Sequence, residues 1–301
     1  MRIYGAGFAG LLAGTMFQNA ELFEAGPAEQ AQHRAILRFR SSAVGDAVGI
    51  EFKPVRVRKA IYFANEFVEP DIRLANWYAA KVVGRYEDRS IWSVGTVDRW
   101  VAPETLLEQL AERCGSRVHW NTRVTPAYIV GATELKIAIS TLPMSLMARI
   151  VTADSIPEFN SRPVYIHRFR IKNCNLHQTI YFPAPTTHLY RASIVGDLLI
   201  CECTTAESLP YSDILTAFGF HTHDIAHIDT TEQKYGKISP IDPVWRKQFM
   251  FELTQRYNIF SLGRFGTWRN ILLDDVLKDI AVIRRLMNSP SYERAKLVGV
   301  V

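Results

Sequence analysis

Four residues near the amino terminus have the types and the spacing of a nucleotide site. Gly5, Gly7 and Gly10 fit the pattern G-x-G-x-x-G, and Glu24 follows nineteen residues after the first glycine. The first glycine suits a tight turn, the second a close approach of a pyrophosphate, and the third close packing of a helix on a strand. A helix amino terminus attracts phosphate, and a carboxylate accepts hydrogen bonds from ribose hydroxyls. Together these residues predict a dinucleotide site.

The sequence around the glycines predicts the elements that would position them. Residues 2–4 indicate the end of a strand, "LLAGTMFQN" a helix, and "ELFEAG" a second strand that ends at Glu24. The segment imitates the apolar stretch of a signal peptide, but its glycines favour the turn. An acid at position 24 disfavours the 2′-phosphate of NADP. NAD and FAD both stay open on this motif alone.

A second strand–glycine–helix unit stands near the carboxyl terminus. The segment "NIFSLGRFGTWRNILLDDVLKDIAVIRRL" predicts a strand at 259–262, a tight turn at Gly263–Gly266 and a long amphipathic helix. Asp274 and Asp275 fall in the early turns of that helix, where the dipole favours acids. The unit resembles the closing segment of FAD enzymes of the amine-oxidase and UDP-galactopyranose mutase group. In that group the turn approaches the phosphate and ribityl chain of the flavin.

Two middle segments resemble the same group. "VAPETLLEQLAERCGSRVHWNTRVT" predicts a helix and a strand ending at Val124, which in these families gives a backbone contact to adenine. "LKIAISTLPMSLM" resembles their hydrophobic strand followed by Thr-hydrophobic-Pro. The resemblance implies non-covalent FAD, because no cysteine or histidine stands out as an anchor. The cofactor contacts predicted in this way are Gly5, Ala6, Gly7, Phe8, Ala9, Gly10, Glu24, Ala25, Arg38, Arg40, Ser41, Val124, Thr141, Gly263, Arg264, Phe265, Trp268 and Asn270.

The resemblance implies an α/β fold, with a discontinuous Rossmann-type FAD-binding domain and a smaller β-rich substrate domain. We expect the FAD-binding domain at 1–45, 98–150 and 255–301, and the substrate domain at 46–97 and 151–254. Segments such as "PVYIHRFRIKN", "QTIYFPA", "HLYRASIVG" and "DLLICECTT" predict the strands of a sheet that roofs the flavin.

The sequence departs from the family after Glu24. The double glycine that the family often shows is replaced by "AGPAEQAQHRAILRFRSS", in which Arg38, Arg40 and Ser41 are candidates for the missing phosphate contacts. No second G-x-G-x-x-G occurs, which disfavours a built-in NAD(P)H domain, and no CxxxxC redox pair occurs.

Four residues are candidates for catalysis. Tyr190 and Arg191 alternate in a predicted roof strand, and the mutases carry a Tyr-Arg pair in a comparable strand that binds substrate phosphate. Lys237 resembles the lysine that holds a water near the flavin in amine oxidases. Trp268 could wall the flavin or stack on a substrate ring. The alternatives are a surface arginine beside a packed tyrosine, a solvated lysine and a core tryptophan.

Composition sets wider limits. The chain has 301 residues, 48% of them hydrophobic, and a net charge of +5, which permits an anionic substrate or DNA. Its apolar runs are too short or too broken to span a bilayer. We expect a cytoplasmic protein with buried thiols at Cys201 and Cys203 on one strand face, and no metal site at the "HTHDIAH" histidines. The mixed basic and aromatic segment "NWYAAKVVGRYEDRSIWS" suits either a nucleotide or snorkelling over packed rings.

Three functions follow as hypotheses. The first is an FAD-dependent enzyme that takes a hydride from a carbon next to nitrogen, as an oxidase or a lyase. Its compact size resembles small phage-encoded flavoproteins, some of which trim an amino-acid group from modified thymines in DNA. The second is non-redox flavin catalysis on a nucleotide sugar, similar to UDP-galactopyranose mutase. The third is a dinucleotide held as a structural or sensing ligand. The substrate is expected to be a small or nucleotide-linked molecule.

Overall fold

The computed structural model describes residues 1–28, 36–88, 90–129, 136–207 and 209–289. The strands in chain order are β1 (Arg2–Tyr4), β2 (Glu21–Phe23), β3 (Arg38–Phe39), β4 (Lys53–Phe63), β5 (Glu66–Val68), β6 (Gly95–Val101), β7 (Val118–His119), β8 (Ala138–Ser140), β9 (Ser161–Ile171), β10 (Leu176–Tyr181), β11 (Leu189–Gly196), β12 (Leu198–Cys203), β13 (Ile225–Ile238) and β14 (Ile259–Ser261). The helices are α1 (Phe8–Met16), α2 (Ala43–Val48), α3 (Ile72–Val83), α4 (Leu106–Cys114), α5 (Pro126–Ile129), α6 (Met144–Ile150), α7 (Tyr211–Phe218), α8 (Pro243–Tyr257), α9 (Gly263–Gly266) and α10 (Leu273–Met287).

Five short parallel strands form the first sheet, which we call sheet A. Its order is β14-β8-β1-β2-β7. Every residue of β1, β8 and β14 except Arg2 is buried, as expected of parallel strands that are covered on both faces. Side chains from α1, α4, α8 and α10 belong to the same hydrophobic cluster as these strands. Sheet A is therefore the parallel sheet that the sequence predicted around the first glycine motif.

A larger sheet, which we call sheet B, contains the remaining described strands. Its order is β13-β9-β12-β11-β10-β4-β6-β3, with β5 paired to β4. All neighbours are antiparallel except β4 and β10, which are parallel. The four segments predicted as roof strands are β9, β10, β11 and β12. The domain boundaries stay a prediction. The strands β3 and β6, which lie near the expected limits at residues 45 and 98, both belong to sheet B.

The two faces of sheet B have different cover. One face packs against α7, and both Cys201 and Cys203 belong to that cluster and are fully buried. Burial raises the pKa of Cys203 to about 12, and that of Cys201 well above its usual value, so both stay protonated thiols. The prediction of buried thiols on a single face is confirmed. The opposite face, called the inner face below, carries Tyr181, Tyr190 and Ile200 and is partly covered by α3.

Lys81 ties α3 to sheet B. Its Nζ donates to the backbone carbonyls of Phe182, Ala184 and Leu189 at 2.8, 2.6 and 2.7 Å. Burial lowers the pKa of Lys81 to about 7. In the basic and aromatic segment singled out from the sequence, Tyr78 is also buried, at 3% exposure. Packing therefore accounts for these two residues.

We expect Lys81→Met to destabilise the protein by about 2–4 kcal/mol, because three buried carbonyls lose a charged donor. Urea unfolding at pH 6.5 measures the change. Lys247→Met, at an exposed position in α8, is the matched control and should change the free energy of unfolding by less than about 0.5 kcal/mol. Equal effects of the two substitutions would contradict this account of Lys81.

Candidate functional site

The first glycine motif forms the turn between β1 and α1. Gly5 has a φ of +95°, which favours glycine. A Cβ on Gly10 would overlap the carbonyl oxygen of Gly5, so the helix can approach the strand only with glycine at this position. Gly7 differs from both, since a Cβ there would have no atom of the described protein within 4 Å. The turn is tight on its protein side and open at Gly7.

The open side of this turn is the amino terminus of α1. Gly7 is the N-cap residue, and no side chain of the described chain caps the helix. The first intrahelical bond is donated by Leu11 to the Gly7 carbonyl at 2.9 Å. The amides of the first turn therefore lack intrahelical acceptors and carry the positive end of the dipole. An uncapped helix terminus beside an open glycine has the chemistry of an anion site.

Glu24 lies beside this turn, one residue after β2 ends. One carboxylate oxygen accepts from the Ala6 amide at 2.7 Å, and the other accepts from the Gly26 amide at 3.0 Å. These bonds hold the carboxylate in place at the carboxyl edge of sheet A. Because each oxygen can accept more than one bond, capacity remains for a ligand's hydroxyl groups. Ala25, the next predicted contact, is exposed at the same edge.

Val124 lies in a loop, which corrects the predicted strand. The strand β7 ends at His119, and Asn121 turns the chain with a φ of +54°. The loop nevertheless stays beside the segment after β2, since the Thr122 amide donates to the Glu24 carbonyl at 2.7 Å. Val124 is nearly buried, at 9% exposure.

The closing glycine turn lies against the first one. The segment Gly263–Gly266 is the one-turn helix α9, and a Cβ on Gly263 would stand 2.8 Å from the Cβ of Ala9. A Cβ on Gly266 would stand 2.7 Å from the Ser140 carbonyl oxygen at the end of β8. Thr141, the next residue, donates from its hydroxyl to the Tyr4 carbonyl at 3.0 Å. Two turns 250 residues apart in sequence thus share one edge of sheet A.

The end of β13 connects α9 to the inner face of sheet B. Arg264 donates to the Gly236 carbonyl at 2.9 Å, and the ring centres of Tyr235 and Phe265 are 5.8 Å apart. The next residue, Lys237, has its Nζ 5.2 Å from the centre of the Tyr190 ring. The structure therefore brings Lys237, Tyr190 and Arg191 together. The predicted alternation of Tyr190 and Arg191 is wrong, because a register shift between Leu189 and Arg191 puts both residues on the inner face.

Glu202 joins this group, and the sequence analysis missed it. Its carboxylate forms an ion pair with Arg191 across β11 and β12. Burial by itself raises the pKa of Glu202, but the charges of Arg191 and Lys237 bring it down to about 2. Burial and the same carboxylate raise the pKa of Tyr190 well above its usual value. Glu202 is the single charged residue of the otherwise apolar strand β12, and this was the signal that could have revealed it.

The remaining predicted residues have other surroundings. Trp268 is 3% exposed, donates from its indole nitrogen to the Ser239 carbonyl at 2.9 Å, and packs edge-on against Phe159, as a core side chain does. Arg40 pairs with Asp274 and Asp275 at the start of α10, and the Ser41 amide donates to Asp274 at 3.3 Å.

The other predicted contacts with side-chain partners are Phe8, Asn270 and Arg38. Phe8 packs against Phe39 with ring centres 6.0 Å apart. Asn270 is exposed and accepts from Arg264 at 3.4 Å. Arg38 extends to the inner face of sheet B, where it donates to the Thr179 hydroxyl at 3.2 Å.

Within the described ranges, no group of histidine, cysteine, aspartate and glutamate residues could hold a metal ion. His221 and His223 stack on each other with ring centres 5.4 Å apart. In the same part of the chain, no helix has the length and apolar content that crossing a bilayer requires.

Comparison with known proteins shows the fold. No protein-family model and no curated protein sequence matches the chain. Reduced UDP-galactopyranose mutase is 13% identical, with a TM-score of 0.62 over 95% of this chain and 93% of its own. A geranylgeranyl bacteriochlorophyll reductase-like protein from Thermoplasma acidophilum is 11% identical, with a TM-score of 0.56 over 99% of this chain and 81% of its own. The tetrameric form of 2-methyl-3-hydroxypyridine-5-carboxylic acid oxygenase is 12% identical, with a TM-score of 0.56 over 99% and 85%.

The predicted fold class is confirmed. The chain has the mixed α/β fold of Rossmann-type FAD-binding flavoproteins, with a parallel sheet and a curled second sheet. The similar structures are those of a mutase, a reductase-like protein and an oxygenase, so this is a fold that enzymes of several reaction classes use. Function must be argued from the site.

Substitutions of Gly10 and Gly7 should differ in their effect on stability, because Gly10 is packed against the backbone and Gly7 is open. We expect Gly10→Ala to destabilise the protein by about 2 kcal/mol, because its Cβ overlaps the Gly5 carbonyl oxygen. We expect Gly7→Ala, in the open part of the turn, to change the free energy of unfolding by less than about 1 kcal/mol, because the reduced entropy of the unfolded chain is opposed by the poorer N-cap that alanine gives α1. Denaturant unfolding of the flavin-free protein measures both. A Gly7→Ala variant as unstable as Gly10→Ala would contradict the open cradle.

The ion pair between Glu202 and Arg191 should make the free energy of unfolding depend on pH. Because the folded-state pKa of about 2 lies below the ordinary 4.5, the stabilisation is complete above about pH 4.5 and is lost as the pH falls towards 2. We expect Glu202→Gln to cost about 3 kcal/mol at pH 7 and progressively less between pH 4.5 and pH 3. Urea unfolding along this pH series measures the difference. Glu232→Gln, at an exposed position in β13, is the control. A change in the free energy of unfolding for Glu202→Gln that does not vary with pH would contradict the prediction.

Proposed function

We propose that this protein is an FAD-dependent enzyme that binds its cofactor without a covalent bond and acts on a substrate carbon next to nitrogen. The observation that carries the cofactor assignment is the contact between the two glycine turns. Gly7, at the uncapped amino terminus of α1, has open space beside it, and Gly263 of the closing turn lies against Ala9 in the first turn of the same helix. A cradle that a Cβ would fill fits a phosphate close to the backbone.

The residues that would hold the cofactor follow from their positions. The amides at the start of α1 would bind the pyrophosphate, and Glu24 would accept from the adenosine ribose. The turn at Gly263–Phe265 would face the phosphate and ribityl chain, and the loop at Val124 the adenine, as the resemblance implies. The flavin, when bound, supplies the acceptor for a hydride and its electrons.

The chain's own residues at the reaction site would be Lys237, Tyr190 and Arg191. Lys237 follows Gly236, whose carbonyl accepts from Arg264 of the closing turn, and its ammonium group lies over the Tyr190 ring on the inner face of sheet B. From there it would hold a water or a polar substrate group. Arg191, whose side chain is 36% exposed, would orient an anionic group of the substrate. Oxidase and lyase outcomes share these roles.

A second candidate is non-redox catalysis on a nucleotide sugar, of the kind performed by UDP-galactopyranose mutase. The specific observation in its favour is Arg191 beside further cations of sheet B, because arginine suits bidentate contact with phosphate. A DNA-linked substrate, as in the phage-type variant, is a hypothesis that rests on composition and on the sequence resemblance.

The cofactor assignment is tested on the purified protein. We expect absorption near about 450 nm and release of FAD that mass spectrometry identifies. We expect Gly7→Ala, which should keep its stability, to bind FAD at least about 10-fold more weakly, because the Cβ occupies the cradle. A colourless protein that takes up no FAD would overturn the proposal, as would wild-type affinity in the Gly7→Ala variant.

The reaction class is tested on the FAD-loaded protein. Anaerobic bleaching of the flavin by an amine-bearing substrate would support hydride abstraction. Turnover of a nucleotide sugar only after reduction with dithionite would support the mutase alternative. Retention on DNA that weakens with salt, together with bleaching by a modified DNA, would favour the DNA-linked variant.

A further inference from the structure

Several cations share the inner face of sheet B. The register pairs Lys59 of β4 with Thr179 of β10, and Thr179 with Ser193 of β11. In the next row on the same face, Tyr181 pairs with Arg191. Since alternate residues of a strand point to one face, Lys59 and Arg191 occupy neighbouring rows of a single surface.

Arg38 reaches the same surface from β3. It donates to the Thr179 hydroxyl at 3.2 Å, while its neighbour Phe39 is fully buried in the core around sheet A. Burial, followed by the charges of Arg191 and Arg99, lowers the pKa of Arg38 to about 10. Burial and the charges of Arg99, Arg38 and Arg191 also lower the pKa of Lys59. Arg99 is on the same face, since it pairs with Val55, four residues before Lys59 in β4. The charges of Arg99 and Arg191 therefore repel both Arg38 and Lys59.

The negative charge that faces this group is small. Among the main charges that act on Arg38 and Arg191, Glu202 is the carboxylate, and it already pairs with Arg191; the main charges that act on Lys59 are all positive. The Nε of Arg191 is buried and has no hydrogen-bond partner in the described chain. Holding several like charges together without counter-charge is costly. An incoming anion would offset this cost.

We propose that Arg38, Lys59, Arg99 and Arg191 form an anion subsite on the inner face of sheet B, which takes a carboxylate or phosphate group of the substrate. This inference rests on the proposed function and names a substrate class for it. The subsite is distinct from the amino terminus of α1, where the phosphates of the cofactor would bind. It assigns Arg38 to the substrate, in place of the cofactor contact predicted from the sequence.

The test uses the FAD-loaded protein and three probes: inorganic phosphate, benzoate, and benzamide as the neutral counterpart of benzoate. Dissociation constants come from calorimetry and from changes in the flavin spectrum, at constant ionic strength set with sodium chloride. We expect at least one of the two anions to bind. If benzoate binds, we expect benzamide to bind at least about 10-fold more weakly than benzoate. Binding of benzoate would indicate a carboxylate substrate, and binding of inorganic phosphate a phosphate substrate.

Neighbouring residues of β4 give a matched pair of variants. Lys59→Gln removes a charge from the inner face, whereas Arg58→Gln removes one from the exposed residue beside it, which points to the other face. We expect Lys59→Gln and Arg99→Gln to weaken the anion at least about 5-fold, and Arg58→Gln to change it less than about 2-fold. Lys59→Arg should restore binding to within about 2-fold of the wild type.

The outcomes separate the subsite from the cofactor assignment. If FAD binds but neither anion does, or if Arg58→Gln weakens the anion as much as Lys59→Gln, the subsite is wrong and the cofactor proposal stands. If Lys59→Gln weakens FAD and leaves the anion unaffected, the cations serve the cofactor and the subsite is again wrong. If the protein takes up no FAD, the proposed function fails, and calorimetry with the same anions and variants still tests the cations by themselves.

Discussion

The close approach of α1 to the ends of β1 and α9 is the constraint on which the rest of the structure depends. Gly10 lets the helix touch the Gly5 carbonyl, and Gly263 lets the closing turn touch Ala9. No larger residue fits either contact without movement. These contacts bring the first and last parts of the described chain to one edge of sheet A, where a helix amino terminus stays uncapped. A cofactor cradle can form there only because the glycines remove the side chains that would fill it.

Sheet B is connected to the two glycine turns through the end of one strand, β13. The Gly236 carbonyl accepts from Arg264 of the closing turn, so the position of β13 is tied to the cradle. Lys237 then lies over the Tyr190 ring, and its charge acts on Glu202 together with that of Arg191. The positions of the candidate catalytic side chains are thus set by backbone contacts from the other sheet. This connection would let side chains of sheet B face the proposed cofactor at the two glycine turns.

Features encoded over a few residues could be predicted from the sequence, and most features that depend on contacts between distant segments could not. The first glycine turn, the closing strand–turn–helix unit and the roof strands follow from local spacing and periodicity, and the structure contains each of them. The contact of Arg38 with Thr179 could not be predicted, because it spans 141 residues and depends on where β3 joins sheet B. Val124 was placed in a strand because the positive φ of Asn121 leaves no periodic signal. Trp268 shows the same limit, since its burial depends on Phe159 and Ser239 from distant segments.

The two sheets carry positive potential of different origin. At sheet A the charge comes from backbone amides, which are fixed in direction and suit a phosphate held close to the chain. At sheet B it comes from arginine and lysine side chains, which can adapt to ligands of different shape. Glu202 lies among the second group and neutralises part of it, so the cations can be assembled before any ligand arrives. A fixed site for a constant cofactor and an adjustable site for the substrate would let one fold serve different reactions by changing sheet B alone.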